Sequence, residues 1–256
     1  MVTCYPQPGK PRSADIMTRF AAGAGGKIAK GRVLEPGPAA FFGVVGIADL
    51  LNQARADGRD WYYGDNSYFD VTRKVMTRFG KNALQDDGRG APDWDRWKKL
   101  GITVKPWTRA GRDVLVCRQS DHFMENVACW PGGGAGWLDS VTTAIRAHTD
   151  RPIIIRPYNR DKGASAATLH ADLANAWAVV AHTSAAANEA ILAGVPAFVT
   201  GRCAASSVAL DSLDLIESPL RSEGREEWGA ALAGRQWSLS EISDGTAWRA
   251  LCEKAG

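Results

Sequence analysis

The sequence predicts an α/β fold, a parallel sheet with helices on both faces. Three observations predict it. Short apolar runs at Val114–Cys117, Pro152–Arg156 and Ala178–Ala181 alternate with helix-patterned segments. Each run passes directly into a polar or cationic loop. The composition, 45% hydrophobic and 23% charged over 256 residues, suits a globular chain able to bury a core.

Taken in order, residues 1–36 are basic and rich in Gly and Pro. Ala39–Gly46 reads as a buried strand and Ile47–Ala56 as a helix. Asp60–Tyr63 reads as a short strand running into Gly64, Asp65 and Asn66. Residues 70–99 are polar, Ile102–Trp107 is strand-like, and Gly111 with Arg112 makes a linker. Two units are expected, residues 1–112 and residues 113–256. The second opens with the Val114 strand and continues with a helix at Trp137–Ala147, the strand ending at Arg156, and a helix at Leu169–Trp177. The strand at Ala178, a turn at His182, Thr183 and Ser184, and a helix at about Ala185–Ala193 follow. Gly194 and Pro196 stop that helix, and Ala197–Thr200 is the last strand. Two helical segments, Glu223–Ala233 and Ser240–Glu253, close the chain. No internal repeat is present.

The net charge of +3 is unevenly spread. Residues 1–112 hold 19 Lys/Arg against 11 Asp/Glu, and residues 113–256 hold 12 against 17. The imbalance suggests a polyanionic partner for the first unit, and an ordinary solvated surface accounts for it equally. The 5 cysteines are scattered, with no CxxC and no Cys/His grouping at zinc spacing, which favours reduced thiols. No apolar run is long enough to span a bilayer, and the start, MVTCYPQPGKPRSAD, lacks an apolar signal core. A cytoplasmic protein with no membrane partner is therefore expected.

Ligands of open parallel sheets bind beyond the carboxyl ends of the strands. Three loops lie there: Arg118–Ser120, Arg156–Lys162 and His182–Ser184. A diphosphate suits all three. The hydroxyls of Thr183 and Ser184, with His182 and the amides of a helix start, would hold phosphate. The same residues serve equally as a helix N-cap. Glu189, five residues past Ser184, is placed to bind a ribose hydroxyl. Arg156 would offset charge developing on a leaving diphosphate, helped by Lys162, Arg160, Arg118 and Ser120.

In the first unit, Asp65 is the candidate catalytic base, with Asp15 and Asp49 in reserve. Gly64-Asp65-Asn66 also fits an Asx turn. Arg73, Lys74, Arg78 and Lys81, with Phe79 among them, are candidates to track a DNA backbone, and a solvated face accounts for them too. No metal site is expected. Asp93-Trp94-Asp95 sits in a charged, unpatterned stretch, and Gly132-Gly133-Gly134 lacks the Lys-Ser/Thr of a phosphate loop and reads as flexible.

Three segments carry a resemblance: VLVCRQS at 114–120, DRPIIIRPYNRDK at 150–162, and LANAWAVVAHTSAAANEAILAGVPAFV at 173–199. They resemble the nucleotide-sugar half of GT-B glycosyltransferases. The last looks like the hSSxxxEAlxxGvP segment of capsule, Kdo and polysialic-acid transferases. GRDWYYGDNSYFDVTRK at 58–74 and REEWGAALAGRQWSLSEISDGTAWRAL at 225–251 are similar to phage- and prophage-encoded glycosyltransferase-like proteins.

The resemblance implies a GT-B-like fold, two Rossmann-like halves facing a central cleft with the first half reduced. It implies a metal-independent transferase with no cofactor, whose donor is a nucleotide sugar of the UDP-sugar type. The acceptor it implies is double-stranded DNA carrying a hydroxymethylated pyrimidine. A surface-glycan transferase, a sugar-nucleotide epimerase and a non-catalytic nucleotide-binding module stay open, as does the choice between retention and inversion.

Overall fold

The computed structural model describes residues 1–158 and 168–253. The chain divides into two compact units, residues 1–86 with the C-terminal segment from Gly234, and residues 87–233. The division falls earlier than the expected boundary at residue 112, and the C-terminal segment belongs to the first unit. The physical reason is visible at the expected linker. Gly111 is packed rather than a linker: a Cβ there would lie 2.0 Å from the Ala176 carbonyl oxygen. The amides of Arg112 and Asp113 both bond to the Asn175 carbonyl.

The first unit begins with β1 (Thr3–Tyr5), α1 (Pro11–Ala24), β2 (Lys27–Ile28), β3 (Ala39–Phe42), α2 (Ala48–Ala56), β4 (Trp61–Asn66) and β5 (Met76–Lys81). Proline at the start of α1 has no amide hydrogen to leave unpaired, and Gly25 ends the helix in the left-handed region at φ 60°. The inward stripe of α1, with Ile16, Met17, Phe20 and Ala21, follows the helical period.

The second unit follows with α3 (Trp94–Leu100), β6 (Asp113–Cys117), α4 (Asp121–Asn126), α5 (Gly133–Arg146), β7 (Ile153–Arg156), α6 (Leu169–Leu173), β8 (Ala176–Ala181), α7 (Ala186–Leu192), β9 (Ala197–Val199) and α8 (Arg225–Ala233). The chain then adds β10 (Gln236–Ser238), α9 (Leu239–Ser243) and α10 (Thr246–Glu253) to the first unit.

The first sheet has the order β10-β5-β4-β3-β1-β2. Strands β1 to β4 pair in parallel, while β5 and β10 join antiparallel at one side. One face packs Cys4, Ala40, Phe42, Tyr62, Phe79 and Trp237 against α1, α9 and α10. Phe20 of α1 stacks on Phe79 at 4.4 Å and meets Trp248 edge-on. The polar reading of residues 70–99 is thus corrected: it contains the internal strand β5, with Phe79 in the core.

The second sheet, β7-β6-β8-β9, is wholly parallel. Its strands β6 and β8 are buried on both faces, which is why they read as unbroken apolar runs. Val114, Val116, Val180 and Phe198 pack on Met124, Trp137, Val141 and Ile145. Ile102–Trp107 forms no strand, although the Lys105 amide bonds to the Leu192 carbonyl.

Gly194 follows α7 at φ 81°, and a Cβ there would lie 2.0 Å from the Pro106 carbonyl oxygen. Gly194→Ala is expected to lower the urea midpoint: the left-handed backbone alone costs about 1–2 kcal/mol, and the collision adds to it. Among the described residues no helix is long and apolar enough to cross a membrane.

Candidate functional site

The parallel register of the second sheet brings the three predicted loops to one edge. Cys117 pairs with Arg156 on one side and Ala181 on the other, and Ala181 pairs with Val199. Arg156 stands level with Cys117, Ala181 and Val199, and Arg118, His182 and Thr200 follow one residue further along the same carboxyl edge. The Arg118 amide bonds to the Arg156 carbonyl at 3.0 Å.

Each side chain there has a defined partner. The Arg156 guanidinium donates to the Asp172 carboxylate of α6, and both are largely buried. Arg118 donates to Asp121 at 2.9 Å. Ser120 caps α4, accepting from the Phe123 amide at 3.3 Å. Gln119 takes both donors of Thr183 on its side-chain oxygen, the amide at 3.1 Å and the hydroxyl at 3.0 Å. Ser184 accepts from the Ala186 amide at 3.3 Å. Thr183 and Ser184 therefore brace the turn before α7, whose N-cap is Ala185 with no side-chain cap bond, so neither residue is the N-cap that its type favours. Glu189 is half-buried on α7. Lys162 and Arg160 lie outside the described residues. Cys117, beside Arg156, is no nucleophile: burial pushes its thiol up to about 12.

His182 is the most enclosed polar ring of this edge, 8% exposed. Its Nδ1 lies 3.0 Å from the Thr200 hydroxyl, which accepts from the Trp137 indole at 2.8 Å. The Trp130 ring meets it edge-on at 5.6 Å. Burial lowers the His182 pKa from 6.5. The unfolded chain then takes up a proton more readily than the folded one, so stability falls as pH drops below about 6.5. The urea midpoint should fall between pH 7.5 and 5.5, and less steeply in His182→Gln.

The glycine run behaves differently from the flexible loop expected of it. Gly133 and Gly134 are buried in the first turn of α5. A Cβ on Gly134 would lie 2.1 Å from the Asp121 carboxylate, and one on Gly136 would lie 2.1 Å from the Pro131 carbonyl. These glycines permit close packing.

In the first unit, Asp65 lies within β4 rather than after it, paired in register with Arg78. Its carboxylate accepts from the Asn66 amide at 2.7 Å and the Tyr63 hydroxyl at 3.3 Å, with the Arg78 guanidinium at 3.6 Å. Arg78 is buried, donates to the Asn66 carbonyl and sits over the Tyr68 ring. Lys81 pairs with Asp60 at 3.0 Å. The four-cation DNA track is corrected accordingly: Arg78 and Lys81 are committed to intramolecular carboxylates, and Phe79 is core. Arg73, paired with Asp70 at 3.3 Å, and Lys74 remain exposed. Of the reserve carboxylates, Asp15 pairs with Arg19 and Asp49 with Arg32, both on the surface. Asp93 caps α3 by accepting from the Arg96 amide.

Sequence reasoning missed Gln119, Trp137, Asp172 and Thr200 as parts of the edge. Gln119 sits inside a loop already singled out; the other three become neighbours only through the fold.

No family model matches the sequence, and no curated protein matches it. Among solved structures, the chain is similar to a beta Kdo 2,7 transferase, KpsC of Thermosulfurimonas dismutans. The TM-score is 0.53 at 13% identity, covering 97% of this chain and 99% of that one. KpsC beta Kdo 2,4 transferase from the same organism gives a TM-score of 0.49 at 11% identity, covering 90% and 89%. The chain shares with the first of these a mixed α/β fold with parallel sheets.

Proposed function

We propose that this protein is a glycosyltransferase whose nucleotide-sugar donor, a nucleoside diphosphate sugar of the uridine type, binds at the carboxyl edge of the second sheet. The observation that carries this reading is the strand register that gathers the strand ends bearing Arg118, Arg156 and His182 at one edge of the sheet. The fold shared with a Kdo transferase supports it. The new bond joins an acceptor oxygen to the anomeric carbon, and the bond from that carbon to the diphosphate breaks. Charge builds on the departing diphosphate, where Arg156 and Arg118 stabilise it. Asp65, held by Tyr63 and Arg78, is the first unit's candidate for the base that an inverting reaction requires.

For the acceptor, the loss of Arg78 and Lys81 from the cationic track favours a glycan hydroxyl over DNA. The test is incubation with a panel of sugar nucleotides and two acceptor sets, hydroxyl-bearing oligosaccharides and hydroxymethylpyrimidine DNA, read by product mass. A sugar-sized gain on an oligosaccharide supports the whole reading. A gain on DNA keeps the transferase and reverses the acceptor. Absence of both transfer and nucleotide binding contradicts the proposal.

A further inference from the structure

We infer that Trp137 and Thr200 hold His182 as the neutral tautomer with its proton on Nε2, and that His182 thereby presents an uncharged donor to the ligand's phosphate oxygens. Thr200 is then a positioning residue of the donor site. The inference rests on the proposed nucleotide binding at this edge.

The direction of the hydrogen bonds follows from what each group can do. An indole nitrogen only donates, so the Trp137 N–H at 2.8 Å makes Thr200 Oγ1 its acceptor. The hydroxyl carries one proton. Among the described residues its remaining partner is His182 Nδ1 at 3.0 Å. If Nδ1 carried a proton, the hydroxyl would accept twice and its own proton would point at no acceptor. The indole, the hydroxyl and Nδ1 are all satisfied only when Thr200 donates to Nδ1, which leaves the ring proton on Nε2.

Three features fix this arrangement. Trp137 is fully buried in the core of the second unit, so the start of the relay cannot rotate. Thr200 directly follows β9 and its amide bonds to the Ala181 carbonyl at 3.0 Å, which sets its hydroxyl beside His182. Burial keeps the ring neutral at neutral pH. Among the described residues the hydrogen bond of the ring is the one at Nδ1, and the ring is nine-tenths buried.

Gly201 borders that nitrogen. A Cβ there would lie 2.8 Å from Nε2 and 2.6 Å from Cε1. Glycine leaves this edge of the ring unobstructed. A neutral donor fits an edge that already carries two arginines, Arg118 on Asp121 and Arg156 on Asp172. It adds a hydrogen bond to an anion without adding the cost of a third buried charge.

The test uses the full chain with UDP as the probe. Long-range nitrogen–proton NMR reports which ring nitrogen carries the proton, and with 4 histidines in the chain the His182→Gln variant assigns the signal. Calorimetry then compares UDP affinity in wild type, Thr200→Val and Thr200→Ser. The expected result is an Nε2–H tautomer, UDP binding about tenfold weaker in Thr200→Val, and near wild-type binding in Thr200→Ser. Thr200→Ser separates loss of the hydroxyl from general damage to the fold. A proton found on Nδ1, or unchanged affinity in Thr200→Val, overturns the inference while leaving the nucleotide reading intact. Failure of wild type to bind any nucleoside phosphate overturns the nucleotide reading, and with it the ligand contact assigned to His182.

Discussion

Trp137→Ala should destabilise the second unit by about 3–5 kcal/mol, the range for deleting a large buried aromatic. Trp137 is fully buried among Val114, Val116, Met124, Val141 and Ile145, so its removal opens a cavity between the sheet and α5. It also strips the Thr200 hydroxyl of its indole donor. Domains have only about 5–15 kcal/mol in hand, so a loss of this size takes much of the margin. Urea unfolding followed by circular dichroism reads it directly. Trp137→Phe should cost less, because most of the apolar volume stays and only the hydrogen bond and part of the ring are lost. A wild-type midpoint in Trp137→Ala would show that the indole is not a keystone of the core.

Arg156→Ala should weaken UDP binding about ten- to hundredfold, the loss expected for a charge-assisted hydrogen bond to phosphate. Two effects add. On the proposed donor site the cation assigned to the diphosphate is gone, and the Asp172 carboxylate loses its partner and would repel the incoming anion. Asp172→Asn separates them. It removes the competing negative charge while keeping the guanidinium, so its UDP affinity should equal or exceed that of wild type. Calorimetry on both variants checks the pair. Equal affinity in wild type and Arg156→Ala would remove Arg156 from the donor site.

The strands of the second sheet were legible because parallel strands buried on both faces carry uninterrupted apolar residues, as in Val114–Cys117 and Ala178–Ala181. Their shared carboxyl edge followed from chain order, since strands alternating with helices return in the same direction. Strand β5 was not legible. Its sequence, MTRFGK, carries Arg78 and Lys81, and a single sequence does not show that Asp65 and Asp60 wait for them on or beside the neighbouring strand. Strand β10 was hidden for another reason: three residues, Gln236–Ser238, pair with a segment about 160 positions earlier. No local pattern records so distant a partner.

The candidate site divides in the same way. The placement of Arg118, Arg156 and His182 at the carboxyl edge was legible because residues at strand ends are set by topology. What each does next was not, because Gln119, Asp172 and Thr200 reach their partners through space. Thr183 shows the consequence. Its hydroxyl reads as a phosphate ligand in sequence, whereas in the structure it is bonded to Gln119. The glycines at 132–134 mislead in the opposite sense, because close approach, not flexibility, is what their missing Cβ atoms serve.

The central claim is that the nucleotide binds at the carboxyl edge of the second sheet. Photo-crosslinking with an azido derivative of UDP, followed by peptide mapping, tests it most directly. The account predicts label in peptides spanning Arg118–Trp137 or His182–Gly201, suppressed by excess UDP and by Arg156→Ala. Label suppressed by UDP but confined to residues 1–86 would contradict it.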